Sequence, residues 1–99
     1  MLIFDWDSKK NTLNIKKHGV SFNEAESSFY DELSLIIDDP VHSENEERFI
    51  LVGLSFKTNL LVVSHCYRHE SGSEEIIRII SARKATKKEA QVYNERNNL

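Results

Sequence analysis

Cysteine, long apolar runs and, through its centre, positive charge are what this 99-residue chain has least of. Cys66 is the single cysteine, so no intramolecular disulfide can form. No apolar stretch approaches the roughly 18 residues that a membrane helix needs. The N-terminus, MLIFDWD, lacks the basic-then-apolar pattern of a signal peptide. A soluble, cytoplasmic protein without membrane association is expected. H-E-x-x-H, C-x-x-C and comparable metal signatures are missing, as is a Gly-rich phosphate loop. No metal or cofactor is therefore expected. Asp38 and Asp39 could bind a metal, but acids that end a strand before Pro40 read more simply as solvated turn residues. Repeats, low-complexity tracts and long linkers are absent too, so residues 1–99 are taken as one domain. With 39% apolar and 29% charged residues, its core must be compact and most of its surface charged.

The shortage of positive charge is local. From Ser21 to Glu47 there are nine acids and no Lys or Arg, whereas thirteen cations stand against seven acids elsewhere. A net charge of −3 argues against a general nucleic-acid binder. A chain divided in this way can still offer a basic site to one partner and an acidic flank to another. A merely solvated acidic surface is the plainer alternative.

What is present centres on IIRIISARKATKKE, from Ile76 to Glu89. Ile76, Ile77, Ile79 and Ile80 suit a buried strand. Thr86-Lys87-Lys88-Glu89 fits a helix-starting capping box, in which hydroxyl and carboxylate each satisfy the other residue's amide. Between them Arg78, Arg83, Lys84, Lys87 and Lys88 gather five cations, placed to hold a polyanion. Upstream, Leu2-Ile3-Phe4 forms a short strand, and Asp7 caps a helix over about Ser8 to Lys17 with Leu13 and Ile15 as its apolar residues. His18-Gly19 ends that helix. Ser21-Phe22-Asn23-Glu24 suggests a second capping box, with Phe22, Ala25 and Phe29 as the buried face. Strands follow at Leu35 to Ile37, Arg48 to Ser55 and Leu60 to Arg68, the last two a hairpin around Lys57-Thr58-Asn59. A turn from His69 to Ser73, holding Gly72, leads back to Ile76. The order is written β-α-α-β-β-β-α. An α+β antiparallel sheet is expected, with two N-terminal helices on one face and a weakly docked C-terminal helix.

Alternation sets Leu61, Val63, His65 and Tyr67 on one side of their strand, and Leu60, Val62, Ser64, Cys66 and Arg68 on the other. In the next strand it sets Ile77, Ile79, Ser81 and Arg83 opposite Ile76, Arg78, Ile80 and Ala82. The register between the two strands is not fixed by sequence. His65 could move protons near neutral pH. Arg68 and Arg83 could clamp a phosphate and stabilise growing charge on it. Tyr67 and Tyr93 could stack on a base. The ordinary alternative is a half-buried strand histidine, with arginines paired to Glu74 or Glu75. His18, at a helix C-terminus, is explained as a cap. Cys66 is read as an inert packed thiol.

FDWDSKK, KKHGVSFNEA, ERFILVGLS, LLVVSHCYR and IIRIISARKATKKE, in that order, resemble the BrnT family of bacterial type II toxins. The resemblance implies a RelE-like fold and an endoribonuclease that cuts RNA, free or ribosome-bound, without a metal and so inhibits translation. It also implies a BrnA-like antitoxin, a ribbon-helix-helix protein through which alone the toxin would reach operator DNA. Position by position, Arg68 and Arg83 match the family's active-site arginines, and His65 and Tyr93 match its polar functional positions. The mechanism expected is attack of a ribose 2′-OH on the adjacent phosphorus, with both arginines stabilising the phosphorane. Two other functions compete: a non-catalytic module or co-repressor acting with a DNA-binding antitoxin, and a metal-dependent nuclease using Asp38, Asp39 and a histidine.

Overall fold

A computed structural model describes residues 2–42, 46–69 and 74–99. Glu44 in the acidic block and the turn residue Gly72 lie outside them. The elements run β1 (Ile3–Asp5), α1 (Ser8–His18), α2 (Phe22–Ser28), β2 (Leu35–Asp38), β3 (Arg48–Leu54), β4 (Leu60–His69), β5 (Glu75–Lys84) and α3 (Lys87–Arg96), with one 3-10 turn at Pro40–His42. Four strands, not three, therefore lie between the second and third helices. They form an antiparallel meander, while β1 returns to pair with β5 in parallel, so the sheet is mixed, in the order β1-β5-β4-β3-β2. The parallel pair joins opposite ends of the chain, and no local pattern announces it.

Helix ends form where local chemistry dictates. Asp7 accepts from the amides of Lys9 and Lys10, and Gly19 closes α1 at φ 70°. Thr86 and Glu89 complete their capping box in both directions. The box at Ser21 is only half made. Ser21 accepts from the Glu24 amide, but the Glu24 carboxylate turns inward to take bonds from Ser55 Oγ at 2.7 Å and Asn59 Nδ2 at 2.9 Å. It ties α2 to the β3–β4 turn instead.

Helices α1 and α2 cover one face of the sheet. Val20, Phe22 and Ala25 pack there on Leu51, Leu61, Val63, Ile79 and Ala82. Gly53 allows the close approach of α2 to β3, because a Cβ there would stand 2.6 Å from the Ser28 carbonyl oxygen. Leu13 and Ile15, the apolar residues of α1, are exposed, and the buried residue of that helix is Asn14. Its Nδ2 donates to the carbonyls of Val20 (2.8 Å) and Ala82 (2.7 Å), and its Oδ1 accepts from the Ala82 amide at 3.1 Å. A side-chain amide thus continues the pairing of β5 beyond the end of β1, which satisfies the edge and fixes α1 against it.

On the opposite face, α3 covers one end only. Tyr93 packs on Val52 and Val62, with Leu35, Ile50, Leu60 and Ala85 around them. The rest of that face is open.

Candidate active site

Register decides what shares the open face. Ser64 pairs with Ser81 and His65 with Ile79, so Ile80 is an extra residue at a bulge in β5. The expected alternation breaks there. Ala82 joins Ile77 and Ile79 in the core, while Ser81 and Arg83 turn to the side of Ile76 and Arg78. Arg78 and Arg83 are five positions apart, which would put them on opposite faces of a regular strand. The bulge brings both to the open one. Arg68 and Cys66 reach the same face from β4, and Arg48 reaches it from β3, where it pairs with Cys66.

At the centre of this face lies a groove of about 420 Å³ lined by Lys17 and His18, Asp39 and Arg48, Ile50, Val62 and Ser64, and Ile80 to Arg83. Three cations, two hydroxyls and an imidazole face a single carboxylate. Arg83 forms one wall. Its Nη1 and Nη2 donate to the two Glu89 carboxylate oxygens at 2.7 and 2.9 Å, which fixes the plane of the guanidinium and leaves donors on Nε and Nη2 for an anion. That bond, with the Thr86 amide, holds the Glu89 carboxyl down at about 2, well below its usual 4.5, against an opposing effect of burial.

The other expected residues are dispersed. Arg68 is exposed on the open face, but Arg83 pairs with Val62, six residues earlier in β4, so about 20 Å of strand separates the two arginines. They are not placed to clamp one phosphate. Arg78 bonds Asp5 at 3.2 Å, and His69 approaches Glu75 at 3.4 Å. Lys84, Lys87 and Lys88 are exposed where β5 passes into α3.

His65 and Tyr67 lie on the helical face, away from the groove. His65 is fully buried among Phe29, Phe49 and Tyr67, its Nδ1 3.2 Å from the Val63 carbonyl oxygen and its Nε2 3.3 Å from the Tyr67 hydroxyl. Burial pushes its pKa below 6.5, only partly opposed by the Val63 carbonyl. Tyr93 is buried as the anchor of α3, and its hydroxyl donates to Asp31 Oδ2 at 2.6 Å. Burial and that neighbouring carboxylate push its pKa up to about 12. Burial and Glu46 together raise the Cys66 thiol above its ordinary range, as suits an inert packed cysteine.

A second cleft, of about 800 Å³, lies on the helical face beyond α2. Phe29, Leu51, Tyr67 and Ile77 are among its apolar lining, and Glu74 and Glu75 stand beside them. Among the described residues, no three His, Cys, Asp or Glu side chains come together as a metal site.

The sequence profile of the family described as "Ribonuclease toxin, BrnT, of type II toxin-antitoxin system" matches residues 6–89. The chain belongs to the BrnT family. The 1.1 Å crystal structure of the Brucella abortus ribonuclease toxin BrnT is similar to it, with a TM-score of 0.58 at 24% identity, over 88% of this chain and 100% of that one. At that identity the likeness speaks to the fold alone. No curated protein matches the sequence. Membership in the BrnT family makes RNA the target and an antitoxin the partner. For a BrnT-family ribonuclease, the groove adds Lys17, His18, Arg48, Ser64 and Ser81 to the residues of interest. Sequence offered no signal for Arg48, Ser64 or Ser81, whose grouping depends on strand register. The pair Lys17-His18 was visible only as a helix end.

Proposed function

We propose that this chain is a RelE-like, metal-independent endoribonuclease that arrests translation and is neutralised by a BrnA-like ribbon-helix-helix antitoxin, with its reaction centre in the groove of the open face. The observation that carries the reading is the gathering of Lys17, Arg48 and Arg83 in one groove of an otherwise acidic protein. Cations around a cleft raise the local concentration of a polyanion and orient it. Arg83, already held by Glu89, meets the scissile phosphate at little cost in lost side-chain freedom. The 2′-oxygen attacks phosphorus, the 5′-oxygen leaves, and a 2′,3′-cyclic phosphate remains. Negative charge grows on the non-bridging oxygens in the transition state, where Arg83 and Arg48 stabilise it most. The donor set supports a route without a metal, since the groove offers a hard cation one carboxylate, Asp39, among three positive side chains.

His65, Tyr67 and Tyr93 take no part in this mechanism, because they are buried or face the other side. Arg68 and Arg78 serve instead as contacts to RNA beyond the reaction centre, and Lys84, Lys87 and Lys88 extend the positive surface along α3. The antitoxin reading is supported by the apolar cleft beside Glu74 and Glu75, suited to a basic amphipathic segment.

Induction of the chain alone, with and without its operon's antitoxin, tests the function. Growth arrest relieved by the antitoxin is expected, and a co-repressor would arrest nothing. Arg83→Ala should lower cleavage about a hundredfold, roughly 3 kcal/mol of transition-state stabilisation. Arg83→Lys should recover part of it, because an ammonium cannot make paired contacts. An Arg83→Ala protein as toxic as the wild type, and as stable, would remove Arg83 from the mechanism.

A further inference from the structure

We infer that His18 is the general base of this groove, taking the proton of the attacking 2′-OH. The inference rests on the ribonuclease reading above and assigns the one role that reading leaves vacant. Phosphate-binding cations can stabilise the phosphorane, but none of them accepts a proton at neutral pH. Among the described side chains, His18 is the one imidazole in the groove. His65 is sealed in the opposite face, and His69 sits at the far end of β4 beside Glu75.

Its position is built into the fold. Residues four apart in a helix stand over one another. Asn14, one turn before His18, is gripped by the Ala82 amide and carbonyl and by the Val20 carbonyl. The same face of α1 is thereby pinned to β5 between Ser81 and Arg83, both groove residues. Gly19, left-handed at φ 70°, ends the helix immediately after His18 and bonds its amide to the Ile15 carbonyl. The imidazole is half-buried, set at the groove and accessible from it.

The charged groups that line the groove with it are Lys17 from α1, Arg83 from β5, Arg48 from β3 and Asp39 from the segment after β2. In the step itself, the 2′-OH proton passes to the imidazole as the 2′-oxygen–phosphorus bond forms. The phosphorus–5′-oxygen bond breaks, the 5′-oxygen takes a proton from water, and His18 returns its own to solvent. Protons and charge balance without a co-reactant.

The test uses the purified full chain, an RNA oligonucleotide as substrate and its 2′-O-methyl counterpart as an uncleavable probe of binding. His18→Gln should slow cleavage by about 10²- to 10⁴-fold and leave affinity for the probe within about twofold, with an unchanged melting temperature. The wild-type rate should climb with pH along an acidic limb that His18→Gln lacks, and added imidazole should restore part of the activity of His18→Ala. Cleavage by His18→Gln at the wild-type rate would overturn the assignment. So would a loss of rate matched by lost affinity with the acidic limb intact, which would make His18 a phosphate contact. A wild-type chain that leaves RNA whole would overturn the ribonuclease reading, and the base with it; an active wild type beside an equally active variant overturns the base alone.

Discussion

Two histidines show how environment divides one residue type. His18 stands in a cationic groove, while His65 is packed at 4.8 Å from the Phe29 ring and 5.3 Å from Tyr67 with no exposed surface. Burial keeps the His65 imidazole neutral by lowering its pKa in the folded chain below the ordinary 6.5. Its contribution to stability is therefore complete above about pH 6.5, where folded and unfolded chains are both neutral there. It is lost as pH falls below that value, because the unfolded chain binds a proton that the folded chain resists. Melting temperature measured from pH 7.5 to 5 should fall more steeply in the wild type than in His65→Leu, whose buried side chain does not titrate. Equal slopes would show that the folded imidazole takes up its proton as readily as the unfolded one. The same variant should still cleave RNA at neutral pH, which separates it from His18→Gln.

At the level of elements, α3 is held by few fastenings and so reports on each of them. Tyr93 is its one buried residue, and its capping box shares Glu89 with Arg83. Glu89 at about 2 in the fold, against an ordinary 4.5, contributes stability that is present above pH 4.5 and disappears as pH falls toward 2. Arg83 and Glu89 side chains are 42% and 32% exposed, so solvent screening holds the ion-pair contribution to about 1 kcal/mol. Glu89→Gln should lower stability at pH 7 by about that much and flatten its dependence between pH 5 and 3, as followed by urea unfolding. An unchanged acid profile would mean that the pair contributes nothing in solution. The elements most legible in the sequence are those with such local punctuation: Asp7, Gly19 and Thr86 each mark a helix end through bonds within a few residues. Features that depend on distant partners were not legible. Nothing near Asn14 announces Ala82, sixty-eight positions away. No residue type marks the bulge at Ile80, so simple alternation groups Arg83 with Ile77 and Ile79 rather than with Arg78. Glu24 had a local cap available and took the distant turn at Ser55 and Asn59 instead.

The whole molecule presents two unlike faces, and that division yields a test of where RNA runs. The open face carries Arg83, Arg48 and Lys17 around the groove, then Arg78 and, about 20 Å along β4 from the Arg83 position, Arg68. The helical face carries the apolar cleft with Glu74 and Glu75. A single strand of RNA that contacts about four phosphates should bind with a log–log salt slope near −3, since each neutralised phosphate releases counterions worth about 0.7 in slope. Arg78 already has Asp5 for company, at 3.2 Å, so it should add less than the others. Arg68→Ala should flatten the slope by about 0.7 and weaken binding, while the rate of cleavage at saturating RNA stays near that of the wild type. Arg83→Ala should flatten it by a similar amount and also lose the saturated rate. Glu74→Gln with Glu75→Gln, on the opposite face, should alter neither quantity. Binding of the uncleavable 2′-O-methyl oligonucleotide between 50 and 300 mM salt, paired with single-turnover cleavage, measures both. If Arg68→Ala lost saturated rate as fully as Arg83→Ala, RNA would have to bring the two ends of β4 to one phosphate, which a strand of that length forbids without unfolding; the open face would then be the wrong place for the reaction.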